Sequence, residues 1–349
     1  MTVDPSIANE VSAPLLQYLR HRLPQAAVRY GEALEQVGHS TSAYVYGFRL
    51  EGNCDPQWTE PLVVRIGTTR QQGPAMEREA AVQQFVADRA YRTPRLLAVE
   101  VVANPLGLPF TIMERVPGRT MLEEFTARPL SMLHLAALMA DAQVGLHRLP
   151  VGGYPLRDEG YLVDRRLAYL REQIDRYELR EAEEAFTWLK QRRGVVIPEE
   201  LSLCHNDFHP LNLVLDRSGR VTVLDWSRAE LGDRLHDLAR TLVLFSLASG
   251  GGRNVVEQLL TRVTGVIGRR YLTYYRRHLA VDHERLHYWR ALLTLQSWVE
   301  TAPMISLGPE ALGATPDALA GYPSDILDKI RRAFWKLATS AGSSPAKRI

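Results

Sequence analysis

The sequence predicts an α+β chain, a β-rich first part followed by a larger, mainly helical part. Three observations carry that expectation. Short runs rich in aromatic and β-branched residues, each bounded by turn residues, crowd the first third of the chain. Beyond Gly118 the apolar residues recur instead at helical spacing. The chain has 349 residues, more than one ordinary core holds. Two lobes are therefore expected, 1–115 and 116–340, with 341–349 as a tail.

In chain order, residues 1–30 read as helical, with a helix over 5–23: Leu15, Leu16 and Leu19 share a face and Pro24 stops it. AYVYGFRL over 43–50 is a strand, entered through Gly38-His39-Ser40-Thr41-Ser42 and left by a Gly-Asn-Cys-Asp-Pro turn. PLVVRI over 61–66 is a second strand, and a helix over 75–90 follows. Strands over 97–102 and 110–114 end at Val116-Pro117-Gly118. Helices are then predicted over 131–149, 163–177, 181–193, 235–247, 255–280, 283–300 and 324–339. Two short strands, 211–215 and 221–224, interrupt them around the turn Asp216-Arg217-Ser218-Gly219, a hairpin signal.

Composition narrows the function classes. With 46% hydrophobic and 23% charged residues, disordered, collagen-like and coiled-coil chains are excluded. Lys plus Arg is 42 against 40 Asp plus Glu, too even a balance to predict a nucleic-acid partner or a membrane surface. The longest apolar stretch is interrupted by Arg240 and too short to span a bilayer. MTVDPSIANE has neither a basic start nor an apolar run, and only Cys54 and Cys204 occur, so a cytoplasmic protein without a disulfide framework is expected.

The chemistry concentrates in CHNDFHPLNLVLDRSGRVTVLDWSRAELGDRLHD, residues 204–237. His205, Asp207 and Asn212 sit on a tight, Pro210-containing loop that leads into the hairpin, and Asp225 ends its second strand. The hairpin brings the Asn212 amide oxygen and the Asp225 carboxylate together, and hard oxygen ligands of that kind suit Mg²⁺. Asp207 is then left to accept a proton from an attacking hydroxyl, as phosphoryl transfer requires.

His205-x-Asp207-x-x-x-x-Asn212 followed by Leu224-Asp225-Trp226 resembles the catalytic and metal-binding motifs of the aminoglycoside phosphotransferase and choline kinase-like enzymes. The resemblance covers about residues 30–340. It implies the two-lobed protein kinase-like fold, ATP and Mg²⁺ as cofactors, and a small-molecule hydroxyl acceptor such as an antibiotic, an amino alcohol or a sugar. It implies Asp207 as catalytic base, Asn212 and Asp225 as metal ligands, and Asp237 as a structural residue holding the catalytic loop. Arg65 stands where protein kinases carry a phosphate-contacting lysine, a role a guanidinium can fill. Its ion-pair partner is Glu79 or Glu77. Ser40, Thr41 and Ser42 resemble the nucleotide-covering loop, although with a single glycine, and Glu114 and Val116 the hinge whose backbone holds adenine. His147 reads as a packed structural histidine.

Two positions depart from the family pattern: Asn206 replaces a common glycine and Ser227 a frequent glutamate. Neither removes a group needed for metal binding or base action. For the acceptor, Trp298 and Glu300 offer an aromatic face and a carboxylate suited to an amine or polyol, although they read first as a core tryptophan and a helix-end acid. Two other functions stay open: a metal-dependent hydrolase using His205, Asp207 and His209, which strand alternation places on one face, and a non-catalytic nucleotide-binding module. A protein kinase is disfavoured by the lack of a G-x-G-x-x-G loop and of room for an activation loop after Asp225.

Overall fold

The computed structural model of the chain describes residues 3–23, 27–39, 43–128, 131–156, 160–196, 200–248, 255–312 and 324–340. Its strands are β1 (Arg29–His39), β2 (Ala43–Glu51), β3 (Leu62–Gly67), β4 (Leu96–Glu100), β5 (Phe110–Glu114), β6 (Arg119–Thr120), β7 (Ser202–Cys204), β8 (Leu213–Leu215), β9 (Val221–Val223) and β10 (Glu230–Gly232). Its helices are α1 (Ala8–Arg22), α2 (Gly73–Ala87), α3 (Met121–Ala127), α4 (Met132–His147), α5 (Leu162–Arg176), α6 (Glu183–Gln191), α7 (Arg234–Ala248), α8 (Val255–His278), α9 (His283–Leu307) and α10 (Ile326–Ser340).

These elements form two compact units that interleave in sequence. The first comprises Met1–Thr120, Gly153–Leu156 and Asn212–Arg228. Its sheet is antiparallel, with strand order β1-β2-β3-β5-β4. Period-two alternation decides which β3 residues enter the core. On β3 the side chains of Leu62, Val64 and Ile66 are fully buried against Phe110 and Ile112 of β5 and Leu15 and Leu19 of α1. Tyr18 of α1 meets Phe110 edge-on at 5.0 Å. The intervening β3 residues, Arg65 among them, face the other way, where α2 packs. Truncating Phe110 to alanine in such a core costs about 3–5 kcal/mol.

The same unit takes in the β8–β9 hairpin, because β6 pairs antiparallel with β8. Gly118 makes that pairing possible: its φ is +135° and a Cβ there would lie 2.3 Å from the Leu215 carbonyl oxygen. One sequence expectation is corrected in this unit. Residues 29–30, expected to be helical, residues 31–37, given no element, and the start of the expected loop at Gly38 together form β1, which reaches from Arg29 to His39 and pairs with β2 through three register shifts. Its residues are mostly exposed and its alternation is broken by those shifts, so the strand period is absent from the sequence.

The second unit comprises Met121–Gly152, Arg157–Leu211 and Ala229–Ile349. α9 runs through its middle with Leu286, Trp289, Leu292, Leu295 and Trp298 all buried, apolar on nearly every side as a core helix must be. Asp282 caps it, accepting from the backbone N–H groups of Glu284 and Arg285. α10 is one-sided: Ile326, Ile330, Phe334 and Ala338 are buried at spacings of four and the rest are half-buried or exposed. The ribbon β7–β10 pairs Glu230 with Cys204, and β7 leads directly into the loop that begins at His205. No helix among the described residues is long and apolar enough to cross a membrane.

Candidate active site

In the first unit the strand pleat aims Arg65 of β3 at α2. Its guanidinium forms an ion pair with Glu79, and both side chains are largely buried. Glu77 is exposed, which decides the partner. Burial opposes the charge on Arg65, but the carboxylates of Glu79 and Asp225 outweigh it and hold the guanidinium above its ordinary range. Burial pushes the Glu79 carboxyl up and the negative charge of Asp225 adds to this, against the pull of Arg65. Glu79 also accepts the backbone N–H of Trp226, so one α2 side chain touches the strand bearing Arg65 and the residue after Asp225.

The hairpin fixes the other two groups. Leu213 pairs with Val223, and the Leu224 N–H donates to the Asn212 carbonyl at 2.8 Å, which places Asn212 and Asp225 at one end of the ladder. There the backbone of Asp225 turns into the left-handed region, φ +61°. The N–H and hydroxyl of Ser227 both donate to Asp225 Oδ1, at 3.2 and 2.5 Å. Trp226 is buried and donates its indole N–H to Thr93 Oγ1 at 2.8 Å. Asn212 and Asp225 supply an amide oxygen and a carboxylate. That donor set fits Mg²⁺, which keeps waters and takes one or two protein carboxylates plus substrate phosphates.

In the second unit the loop that carries Asp207 is largely buried and tied from below. Asp237 of α7 is fully buried; its Oδ2 accepts from His205 N at 3.0 Å and its Oδ1 from Asn206 N at 2.7 Å. His147 Nε2 lies 3.0 Å and Gln143 Nε2 3.1 Å from the same carboxylate. The Tyr275 hydroxyl holds the other nitrogen of His147 at 2.8 Å, so His147 is a packed, structural histidine. Thr241 of α7 donates to the Phe208 carbonyl at 2.9 Å. Asp207 itself keeps its carboxylate 23% exposed, with His209 Nε2 3.4 Å from one oxygen and Arg240 Nη2 3.8 Å from the other.

Other predicted residues fall elsewhere. Glu114 closes β5, its N–H donating to Arg95 O at 3.0 Å, and Val116 is half-buried just beyond it. Ser40, Thr41 and Ser42 lie outside the described residues. Glu300 is half-buried and accepts from Tyr169 of α5 at 3.0 Å and from Gln296 at 2.8 Å. Trp298 is 1% exposed beneath the Arg331 guanidinium, and this corrects its reading as an acceptor-facing ring. It is a core residue because α10 covers it. His205 is fully buried, its Nδ1 accepting the Asp207 N–H at 3.3 Å, so it does not share a face with Asp207 and His209. Among the described residues no three His, Cys, Asp or Glu side chains are grouped to hold a metal. A cavity of about 390 Å³ lined by Tyr18, His21, Glu100 and Asn104 holds none of the predicted site residues. Sequence reasoning missed Arg240, Gln143, Tyr275 and Glu230, which come from elements distant along the chain and follow no motif spacing.

These two groups of residues sit on a fold that known proteins share. No curated protein matches the sequence. Among solved structures, a protein of Ralstonia eutropha assigned to the aminoglycoside phosphotransferases is 20% identical, with a TM-score of 0.61 over 94% of this chain and 98% of its own. A thermostable mutant of aminoglycoside phosphotransferase APH(4)-Ia, in ternary complex with ADP and hygromycin B, is 15% identical, with a TM-score of 0.62 over 95% and 99%. Choline kinase LicA from Streptococcus pneumoniae is 15% identical, with a TM-score of 0.58 over 93% and 99%. At these identities the likeness shows the fold, the protein kinase-like one. The model of the phosphotransferase enzyme family matches residues 33–293, about three quarters of the sequence, and the chain belongs to that family.

Proposed function

We propose that the protein transfers the γ-phosphoryl group of ATP, with Mg²⁺, to a hydroxyl of a small molecule. The observation that carries this reading is in the first unit: the buried Arg65–Glu79 pair lies within electrostatic reach of Asp225, which the hairpin sets beside Asn212. Arg65 binds the nucleotide phosphates as a fork, Glu79 orients it, and Asn212 with Asp225 holds the metal. The metal, when bound, neutralises charge on the phosphates. The backbone of Glu114 and Val116 carries adenine.

In the second unit Asp207 accepts the proton of the attacking hydroxyl and orients its oxygen toward the γ-phosphorus. Arg240 and His209, one near each carboxylate oxygen, flank Asp207. Glu300 contributes a half-buried carboxylate for an amine or polyol acceptor. Relatives that bind hygromycin B or act on choline support an acceptor among aminoglycosides, macrolides, amino alcohols and sugars.

The direct test is ADP release from ATP·Mg²⁺ across a panel of those acceptors. One class should raise the rate well above the acceptor-free level, and EDTA should abolish the increase. Absence of acceptor-stimulated ADP release across the panel, together with ester hydrolysis activated by Zn²⁺ or Mn²⁺, would sink the kinase reading.

A further inference from the structure

We propose that Asn206 is a positioning residue that keys the base loop to helix α5 through Glu230. This rests on the reading of Asp207 as the base. Asn206 precedes Asp207 where the family commonly has glycine, and its backbone is in the left-handed region, φ +59°. Glycine adopts that conformation at no steric cost, and asparagine tolerates it better than most residues. A side chain kept at such a position needs a use, and here it has two.

Both ends of the buried Asn206 amide are engaged. Nδ2 donates to Glu230 Oε1 at 2.9 Å, and Oδ1 accepts from His236 Nδ1 at 2.8 Å. Because Oδ1 only accepts, His236 carries its hydrogen on Nδ1 and leaves Nε2 as a bare lone pair. Nε2 is buried without a hydrogen-bond partner, and the ring packs edge-on against Trp289 at 4.9 Å. Burial, reinforced by the Arg166 charge, holds His236 well below its usual pKa, so the ring is neutral and the tautomer is set.

Glu230 joins this amide to α5. Arg165 donates to its Oε2 at 2.8 Å, and Arg166 pairs with Oε1. The carboxylate is 14% exposed, so these charge-assisted bonds are little screened. One turn further along α5, Tyr169 holds Glu300, the carboxylate assigned above to the acceptor. A continuous set of polar contacts thus runs from α5 through Glu230 to the residue before the base. Glycine at 206 would keep the backbone and lose both hydrogen bonds of the amide, which cuts the link between the loop and Glu230. The consequence is that Asp207 keeps a defined orientation only while α5 is in its observed place, which makes turnover depend on the Asn206 side chain although it touches no reacting atom.

The test combines two readouts on the full-length protein. Asn206→Gly retains the left-handed backbone and removes the amide. Turnover, measured as ADP release from ATP·Mg²⁺ with water as acceptor where no added one accelerates it, should fall about tenfold, with KM for ATP within about twofold of wild type. Amide deuterium exchange over residues 204–209 should speed up about tenfold or more, while β3 and α2 exchange as in wild type. Glu230→Ala should reproduce both effects. Glu230→Gln, which keeps an oxygen for the Asn206 amide, should recover most of the loss. The double variant should be no worse than either single one, since both remove one link. Wild-type turnover or wild-type loop exchange in Asn206→Gly, or losses that multiply in the double variant, would overturn the proposal. Faster loop exchange in a chain that releases no ADP under any condition would instead overturn the assignment of Asp207 as base.

Discussion

Asp207 and Asp225 lie on one stretch of sequence but answer to different neighbours, and substitution should separate their roles. Asp207 is partly open between Arg240 and His209, while Asp225 faces Arg65 and Glu79. Asp207→Ala should lose on the order of 10²–10⁴ in turnover and still bind ATP·Mg²⁺. Asp225→Ala should bind ATP no more tightly with Mg²⁺ than with EDTA. Calorimetric titration of both variants distinguishes the cases, and equal loss of nucleotide binding in the two would contradict the division of roles. Ser227 gives a finer test, because its hydroxyl and N–H both hold Asp225 Oδ1 where the backbone is left-handed. Ser227→Ala removes one hydrogen bond to a charged group, worth about 1.5–3 kcal/mol. The Mg²⁺ concentration at half-maximal rate should rise about tenfold or more, with the rate at saturating metal nearly restored.

At the scale of elements, α7 holds the Asp207 loop through the Asp237 carboxylate, with Thr241 and His236 adding one hydrogen bond each. Burial pushes the Asp237 carboxyl up, but the hydrogen bonds and charge of His147 and His205 outweigh it and hold it below its usual value. The folded value therefore lies below the unfolded one of about 3.9. The stabilisation is fully present above that pH and is lost as pH falls through the folded value. Urea denaturation should show the unfolding free energy of wild type falling more steeply below about pH 4 than that of Asp237→Asn. At neutral pH the substitution should cost about 3 kcal/mol or more, since buried donors of His205, Asn206 and Gln143 lose an ionised partner. The contrast between elements also shows what the sequence makes legible. β3 carries a clean strand period and α10 a clean helical one, because each buries one face. β6, β7 and β10 have two or three residues each, and a partner distant in sequence holds them in place. The candidate site divides the same way. Asp207, Asn212 and Asp225 are legible because a loop and a hairpin fix their spacing locally. Arg240, Gln143 and Glu230 act only through tertiary packing, and Trp298 is turned inward by α10, which its own helix does not foretell.

For the whole molecule, the groups proposed to hold nucleotide belong to the first compact unit, and the base, its anchors and Glu300 to the second. The two ligands should therefore leave different footprints. At a concentration of ATP·Mg²⁺ near 100 times its dissociation constant, mass action adds about 2.7 kcal/mol. For a chain of this size that raises the unfolding midpoint by a few degrees, and EDTA should remove the metal-dependent part. Deuterium exchange in the same samples should show protection centred on β3, α2 and the β8–β9 hairpin, with α5 and α9 little changed until an acceptor is added. Protection should then extend to α5 and to the part of α9 around Glu300. Nucleotide protection confined to the helical unit would contradict the assignment of Arg65, Asn212 and Asp225, whatever the acceptor proves to be. A metal-dependent footprint on the hairpin alone would keep Asn212 and Asp225 as ligands and remove Arg65 from the phosphates, because β3 and α2 are linked to the hairpin through Glu79 and the Trp226 N–H and should register a bound nucleotide together with it.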